Sequence, residues 1–157
     1  MKILLVEDDE FKATDIAKVL ADSLPEATVQ RATSVTSALR AIDSDRFSLV
    51  ILDMSLPTFE LTGPGGGGSP QGQGGLEILR LARRLGNSSP FIIVTQYPDI
   101  EIDGRDVPLS EASKALRSRF GIDVRMCLLY EFDGDTWRDP LRDCLAAASK
   151  DDLRSGS

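Results

Sequence analysis

Three carboxylates stand where a strand-end site would need them. Glu7 and Asp8 close the apolar run Lys2-Ile3-Leu4-Leu5-Val6, and Asp53 closes the run Phe47-Ser48-Leu49-Val50-Ile51-Leu52. Three ionised carboxylates a few ångströms apart repel by roughly 4 kcal/mol per pair at an effective dielectric near 20, so such a cluster calls for a cation. Hard oxygen ligands without histidine or thiolate select Mg2+ or Mn2+, and Mg2+ keeps waters that leave room for a phosphoryl oxygen. A carboxylate in that setting can attack phosphorus and form an acyl phosphate. Thr95, at the end of the run Phe91-Ile92-Ile93-Val94-Thr95, can donate a hydrogen bond to a phosphoryl oxygen. The chain has no histidine, which removes Ser-His and Cys-His nucleophiles and histidine metal ligands together.

The elements that must hold these groups read as strands alternating with amphipathic helices. Ala13, Ile16, Ala17, Leu20 and Leu24 recur at helical spacing and stop before Pro25, with Asp9 as an N-cap. Residues 27–31 form a weak strand, and Val35, Ala38, Leu39 and Ile42 mark a second helix that Thr33 or Ser34 can cap. Leu76, Leu79, Ala82 and Leu85 restore the helical period after a glycine-rich stretch, read as an insertion at 62–75. That stretch lacks the Gly-Lys-Ser/Thr ending of a phosphate-binding loop. An acid-rich loop is expected from Asp99 to Pro108, then a helix capped by Ser110, a strand at 124–130, and a last helix capped by Thr136 and carrying Trp137. Five strands alternating with five helices predict parallel βαβ units with helices on both faces, a three-layer (βα)5 α/β sandwich; in the flavodoxin-like fold of this type the parallel sheet has the order 2-1-3-4-5. In that order the first and third strands flank the switch point where ligands bind, so Glu7, Asp8 and Asp53 converge with Thr95 beside them.

One domain is expected over residues 1–150, with a short tail at 151–157. Hydrophobic residues make up 41% and charged residues 27%, ordinary globular usage. The net charge of −7, with its basic residues scattered, argues against nucleic acid as a partner. Cys127 and Cys144 fall at apolar positions and read as reduced core thiols. No signal peptide opens the chain, and no apolar run approaches the roughly 20 residues of a membrane span, so a cytoplasmic protein is expected.

Leu4-Leu5-Val6-Glu7-Asp8-Asp9, Val50-Ile51-Leu52-Asp53-Met54-Ser55-Leu56-Pro57, Gly75-Leu76-Glu77-Ile78-Leu79 and Ile92-Ile93-Val94-Thr95 together resemble the receiver domains of bacterial response regulators, the CheY-like family. The resemblance implies a two-component phosphorelay module. Asp53 would accept phosphate from a histidine kinase, while Glu7, Asp8, Asp53 and the Ser55 carbonyl would hold Mg2+. Thr95 would sense the phosphoryl group, and Tyr130 or Tyr97 would serve as the switch aromatic. Receivers also carry a lysine and a proline at the end of the fifth strand, where this chain has Leu128-Leu129-Tyr130-Glu131-Phe132. Lys114 and Arg125 are poorly placed to replace it. Two readings therefore stand: a phosphorylated receiver whose output is a contact with another protein, and a pseudo-receiver that binds partners without phosphate control. A two-metal phosphotransferase or nuclease is a weaker third, because Ser55 stands where a second aspartate would be needed. No enzymatic turnover is expected beyond self-phosphorylation from a donor and slow self-dephosphorylation.

Overall fold

The computed structural model describes residues 1–59 and 73–155. Its elements are β1 (Lys2–Val6), α1 (Glu10–Ser23), β2 (Thr28–Ala32), α2 (Val35–Ser44), β3 (Leu49–Leu52), α3 (Gly74–Arg84), β4 (Phe91–Thr95), β5 (Asp99–Ile102), β6 (Arg105–Pro108), α4 (Leu109–Phe120), β7 (Val124–Leu129) and α5 (Arg138–Ser155). Five of the strands form a parallel sheet in the order β2-β1-β3-β4-β7, which is the predicted arrangement with β7 as the fifth strand.

Alternate residues of the central strands feed two cores. Ile3, Leu5, Leu49, Ile51, Ile92 and Val94 pack under α1 and α5, while Leu4, Val6, Val50, Leu52, Phe91 and Ile93 pack under α2, α3 and α4. Burial on both faces is why these strands read as unbroken apolar runs.

Asp9 caps α1 by accepting from Lys12 N at 3.0 Å. Ser34 caps α2 in a reciprocal box with Ser37. Ser34→Ala is expected to cost about 1 kcal/mol in urea unfolding, because it uncaps a helix start inside the fold; an unchanged midpoint would show that Ser37 alone satisfies the helix.

Several expectations are corrected. Gly74 and Gly75 are the first residues of α3, not part of an insertion; the rest of the glycine-rich stretch, through residue 72, lies outside the described residues. The acid-rich loop is a β-hairpin: β5 and β6 pair antiparallel around Asp103-Gly104, both at positive φ, and Ile100 and Ile102 bury against the core. Alternation with a left-handed two-residue turn is the signature of a hairpin despite its acidic composition. Helix α4 opens at Leu109 behind Pro108 without a side-chain cap, so Ser110 lies inside it. Helix α5 opens at Arg138, with Thr136 and Trp137 ahead of it; Trp137 is buried and donates from Nε1 to Gly134 O at 3.1 Å.

Cys127 and Cys144 are free, on opposite faces of the sheet. Burial pushes the Cys127 thiol up to about 12, against a small opposing pull from Arg117. Because the thiolate is the reacting form, Cys127 should resist iodoacetamide at pH 8 in the native protein and react once it is unfolded, as peptide mass would report. Among the described residues no helix is long and apolar enough to cross a membrane.

Candidate functional site

The register of the sheet brings the acids together. Val6 pairs with Leu52, and Asp53 N donates to Val6 O at 3.0 Å, so Glu7 and Asp53 leave neighbouring strands at the same level. Glu7, Asp8 and Asp53 each offer a carboxylate oxygen within 4.8 Å of the others. Glu7 is buried, Asp53 is 7% exposed and Asp8 is half-buried, so the cluster opens to solvent on the side of Asp8 and Asp53.

Backbone donors hold the two buried carboxylates in place. Asp9 N donates to Glu7 Oε2 at 3.0 Å, and Met54 N donates to Asp53 Oδ1 at 2.8 Å. The Ser55 N–H also stabilises the Asp53 carboxylate. Thr95 is buried at the end of β4, where its Oγ1 accepts from Tyr97 N at 3.3 Å. Tyr97 itself is half-exposed.

One residue of the site escaped the sequence reading. Lys12, in the first turn of α1, is 1% exposed, and its Nζ lies 2.6 Å from Glu7 Oε1 and 3.0 Å from Asp53 Oδ1. It is the one fully buried cation among the described residues. Its spacing gave a signal: Lys12, Ile16 and Leu20 fall four apart, on the face of α1 that packs on the sheet. Lysine is so seldom fully buried that the sequence assigns this face to Ala13, Ile16, Ala17, Leu20 and Leu24, without Lys12.

Tyr130 is the first residue past β7. Its N–H donates to Thr95 O at 2.7 Å, its hydroxyl donates to Asp15 Oδ2 at 2.7 Å, and its ring lies 5.8 Å from Lys12 Nζ. Lys114 is exposed on α4, and Arg125 pairs with Asp123 and Asp151 at the opposite end of the sheet, so neither reaches the cluster.

Burial dominates the electrostatics. Glu7 is pushed up to about 7 by desolvation, with Lys12 opposing and Asp53 adding to the rise. Asp53 is also raised by burial, and Lys12 again opposes. Oxygen-only ligands that converge and repel one another suit a hard divalent cation, and Lys12 Nζ already supplies one positive charge to Glu7 and Asp53.

No family model matches the sequence. It is 32% identical over 139 residues to the Detocs response regulatory protein DtcB of Vibrio alginolyticus, an alignment that spans 87% of this chain and 93% of that protein. The chain belongs to the response-regulator receiver family. Solved receivers share its fold. The CheY-like receiver of Methanospirillum hungatei JF-1 superposes with a TM-score of 0.62 at 20% identity, over 98% of this chain and 97% of that one. The response regulator TrrA of Thermotoga maritima, solved in complex with Mg(2+)-BeF, superposes with a TM-score of 0.55 at 20% identity, over 94% and 97%. As a receiver, this chain is a CheY-like module of two-component signalling with an acidic cluster able to hold a metal.

Proposed function

We propose that Asp53 accepts a phosphoryl group from a partner histidine kinase and that the phosphorylated receiver acts by contacting another protein. The observation that carries this reading is the convergence of Glu7, Asp8 and Asp53 within 4.8 Å at the switch point of the sheet. A carboxylate oxygen of Asp53 attacks phosphorus; an O–P bond forms as the donor's P–N bond breaks, and the departing nitrogen keeps the electron pair. Met54 N–H fixes the carboxylate for that attack. Glu7, Asp8, Asp53 and the Ser55 carbonyl would hold Mg2+, which when bound offsets the negative charge of the phosphoryl oxygens. Thr95 is the hydroxyl assigned to meet a phosphoryl oxygen, its O–H free to donate there while Oγ1 accepts from Tyr97 N. The complex that TrrA forms with Mg(2+)-BeF supports the metal assignment on a shared fold. The partner is a kinase or other signalling protein, and no turnover is assigned beyond hydrolysis of the chain's own acyl phosphate.

The test is intact mass after incubation with Mg2+ and phosphoramidate, run beside Asp53→Asn. One phosphate gained by the native chain and none by the variant supports the assignment. No adduct on the native chain overturns it and leaves a pseudo-receiver, a binding module with the same fold.

A further inference from the structure

Phosphorylation adds charge to a cluster that is already anionic. Asp53 would go from one negative charge to about two, with three strong acceptor oxygens beside Glu7 and Asp8. A group that stabilises this product must carry positive charge, reach Asp53, and have donors to spare.

Candidate cations near the cluster are few. Arg31 spends its Nε and Nη2 on Glu7 O, at 3.0 and 2.8 Å, and its Nη1 on Glu10. Arg138 lies 3.7 Å from Asp15 and stacks on Trp137. The end of β7 offers Tyr130, a neutral side chain whose hydroxyl is committed to Asp15. Lys12 alone among these touches the acceptor, at 3.0 Å from Asp53 Oδ1. Its ammonium has three donors on a flexible stem, enough to leave one carboxylate contact and take up a phosphoryl oxygen without moving α1. The Tyr130 ring, itself packed on Trp137 with centroids 5.1 Å apart, lies 5.8 Å from the Lys12 ammonium, so one flank of the cation is aromatic.

We propose that Lys12 is the residue that pairs with the phosphoryl group on Asp53, so that the cation comes from the first turn of α1 and not from the end of the fifth strand. This rests on Asp53 being the phosphoacceptor. In the unmodified chain Lys12 bridges Glu7 and Asp53; in the phosphorylated chain it bridges Glu7 and the phosphoryl oxygens. The step itself balances without Lys12 giving up a proton: carboxylate and zwitterionic phosphoramidate yield acyl phosphate and ammonia.

The experiment compares native protein, Lys12→Gln, and Lys12→Gln combined with Tyr130→Lys, each with Mg2+ and phosphoramidate. The rate of adduct formation and the acyl phosphate lifetime are read by intact mass. Removing one charged group that is aimed at developing charge should slow labelling by roughly 100-fold, and the double variant should recover part of that loss by restoring a lysine from the strand side. Equal rates and lifetimes in native protein and Lys12→Gln overturn the role of Lys12 while the phosphoacceptor assignment stands. A native chain that takes no phosphate overturns both. If Lys12→Gln does not fold, native protein carrying 15N-lysine decides the matter: the Lys12 ammonium resonance must shift on phosphorylation, and an unmoved signal overturns the proposal.

Discussion

Lys12→Met, in the presence of EDTA at pH 8, is expected to lose about 3–5 kcal/mol of unfolding free energy, the usual cost of removing one partner from a buried ion pair. The methionine keeps the apolar stem, so the loss reports charge and not volume. Glu7, 2.6 Å from Lys12 Nζ, would face Asp53 with no buried cation between them. Two readouts separate this from a packing effect. Mg2+ should restore part of the stability of the variant, since the same carboxylates suit the metal. The pH dependence should also steepen. Glu7 sits at about 7 in the folded protein against an ordinary 4.5, so its favourable contribution is complete below about 4.5 and is lost as the pH rises through about 7. Lys12 opposes that rise, so without it the decline reaches to higher pH and goes deeper. Urea unfolding of native protein and variant between pH 5 and 8 measures this. Parallel curves separated by less than 1 kcal/mol would mean that Lys12 contributes little to holding the cluster.

The legible parts of this protein are those where one physical rule acts alone. The runs ending at Val6, Leu52 and Thr95 are apolar because both faces of the strands are covered, so the parallel strands and the acids at their ends were legible in the sequence; the sheet order came with the fold type, and with it the approach of Glu7, Asp8 and Asp53 to within 4.8 Å. The Asp9 and Ser34 caps followed from residue type and place. What stayed hidden depended on tertiary context outweighing a composition rule. The acid-rich composition of Asp99 to Pro108 suggested a loop, yet the period-two placement of Ile100 and Ile102 before Asp103-Gly104 marks a hairpin that buries two isoleucines. Ser110 is a good capping residue, but α4 opens at Leu109, ahead of it and behind Pro108. Lys12 was hidden more deeply, because its burial is tolerable only once Glu7 and Asp53 are known to surround it. The cation missing from the fifth strand and the cation present in α1 are one problem, and only the fold puts them side by side.

Gly75→Ala pits two effects against each other whose signs differ. In a helix, alanine in place of glycine is worth up to about 1 kcal/mol in favour of the variant. A Cβ at Gly75, however, would lie 2.8 Å from both Asp53 O and Met54 Cα and 2.7 Å from Met54 Sδ. The sulfur can swing away, but the backbone atoms belong to the segment that carries Asp53, and Gly75 N is tied to Met54 O at 2.9 Å. Overpacking of this kind costs about 1–3 kcal/mol, so against a helix gain of up to about 1 kcal/mol the clash should win and the net change should be destabilising by up to about 2 kcal/mol. The larger consequence is positional. Relief of the clash requires the start of α3 or the Asp53–Met54 backbone to move, and a shift near 1 Å at a reacting group can cost roughly 100-fold in rate. Gly75→Ala should therefore melt below the native chain and take phosphate from phosphoramidate far more slowly than its lost stability explains. Gly86→Ala is the control: nothing lies within 4 Å of a Cβ there, so its positive φ costs stability alone and the labelling rate should hold. A Gly75→Ala protein that melts higher and labels normally would show that α3 can stand off from the acceptor segment, and that the close approach of helix and site is not what sets the position of Asp53.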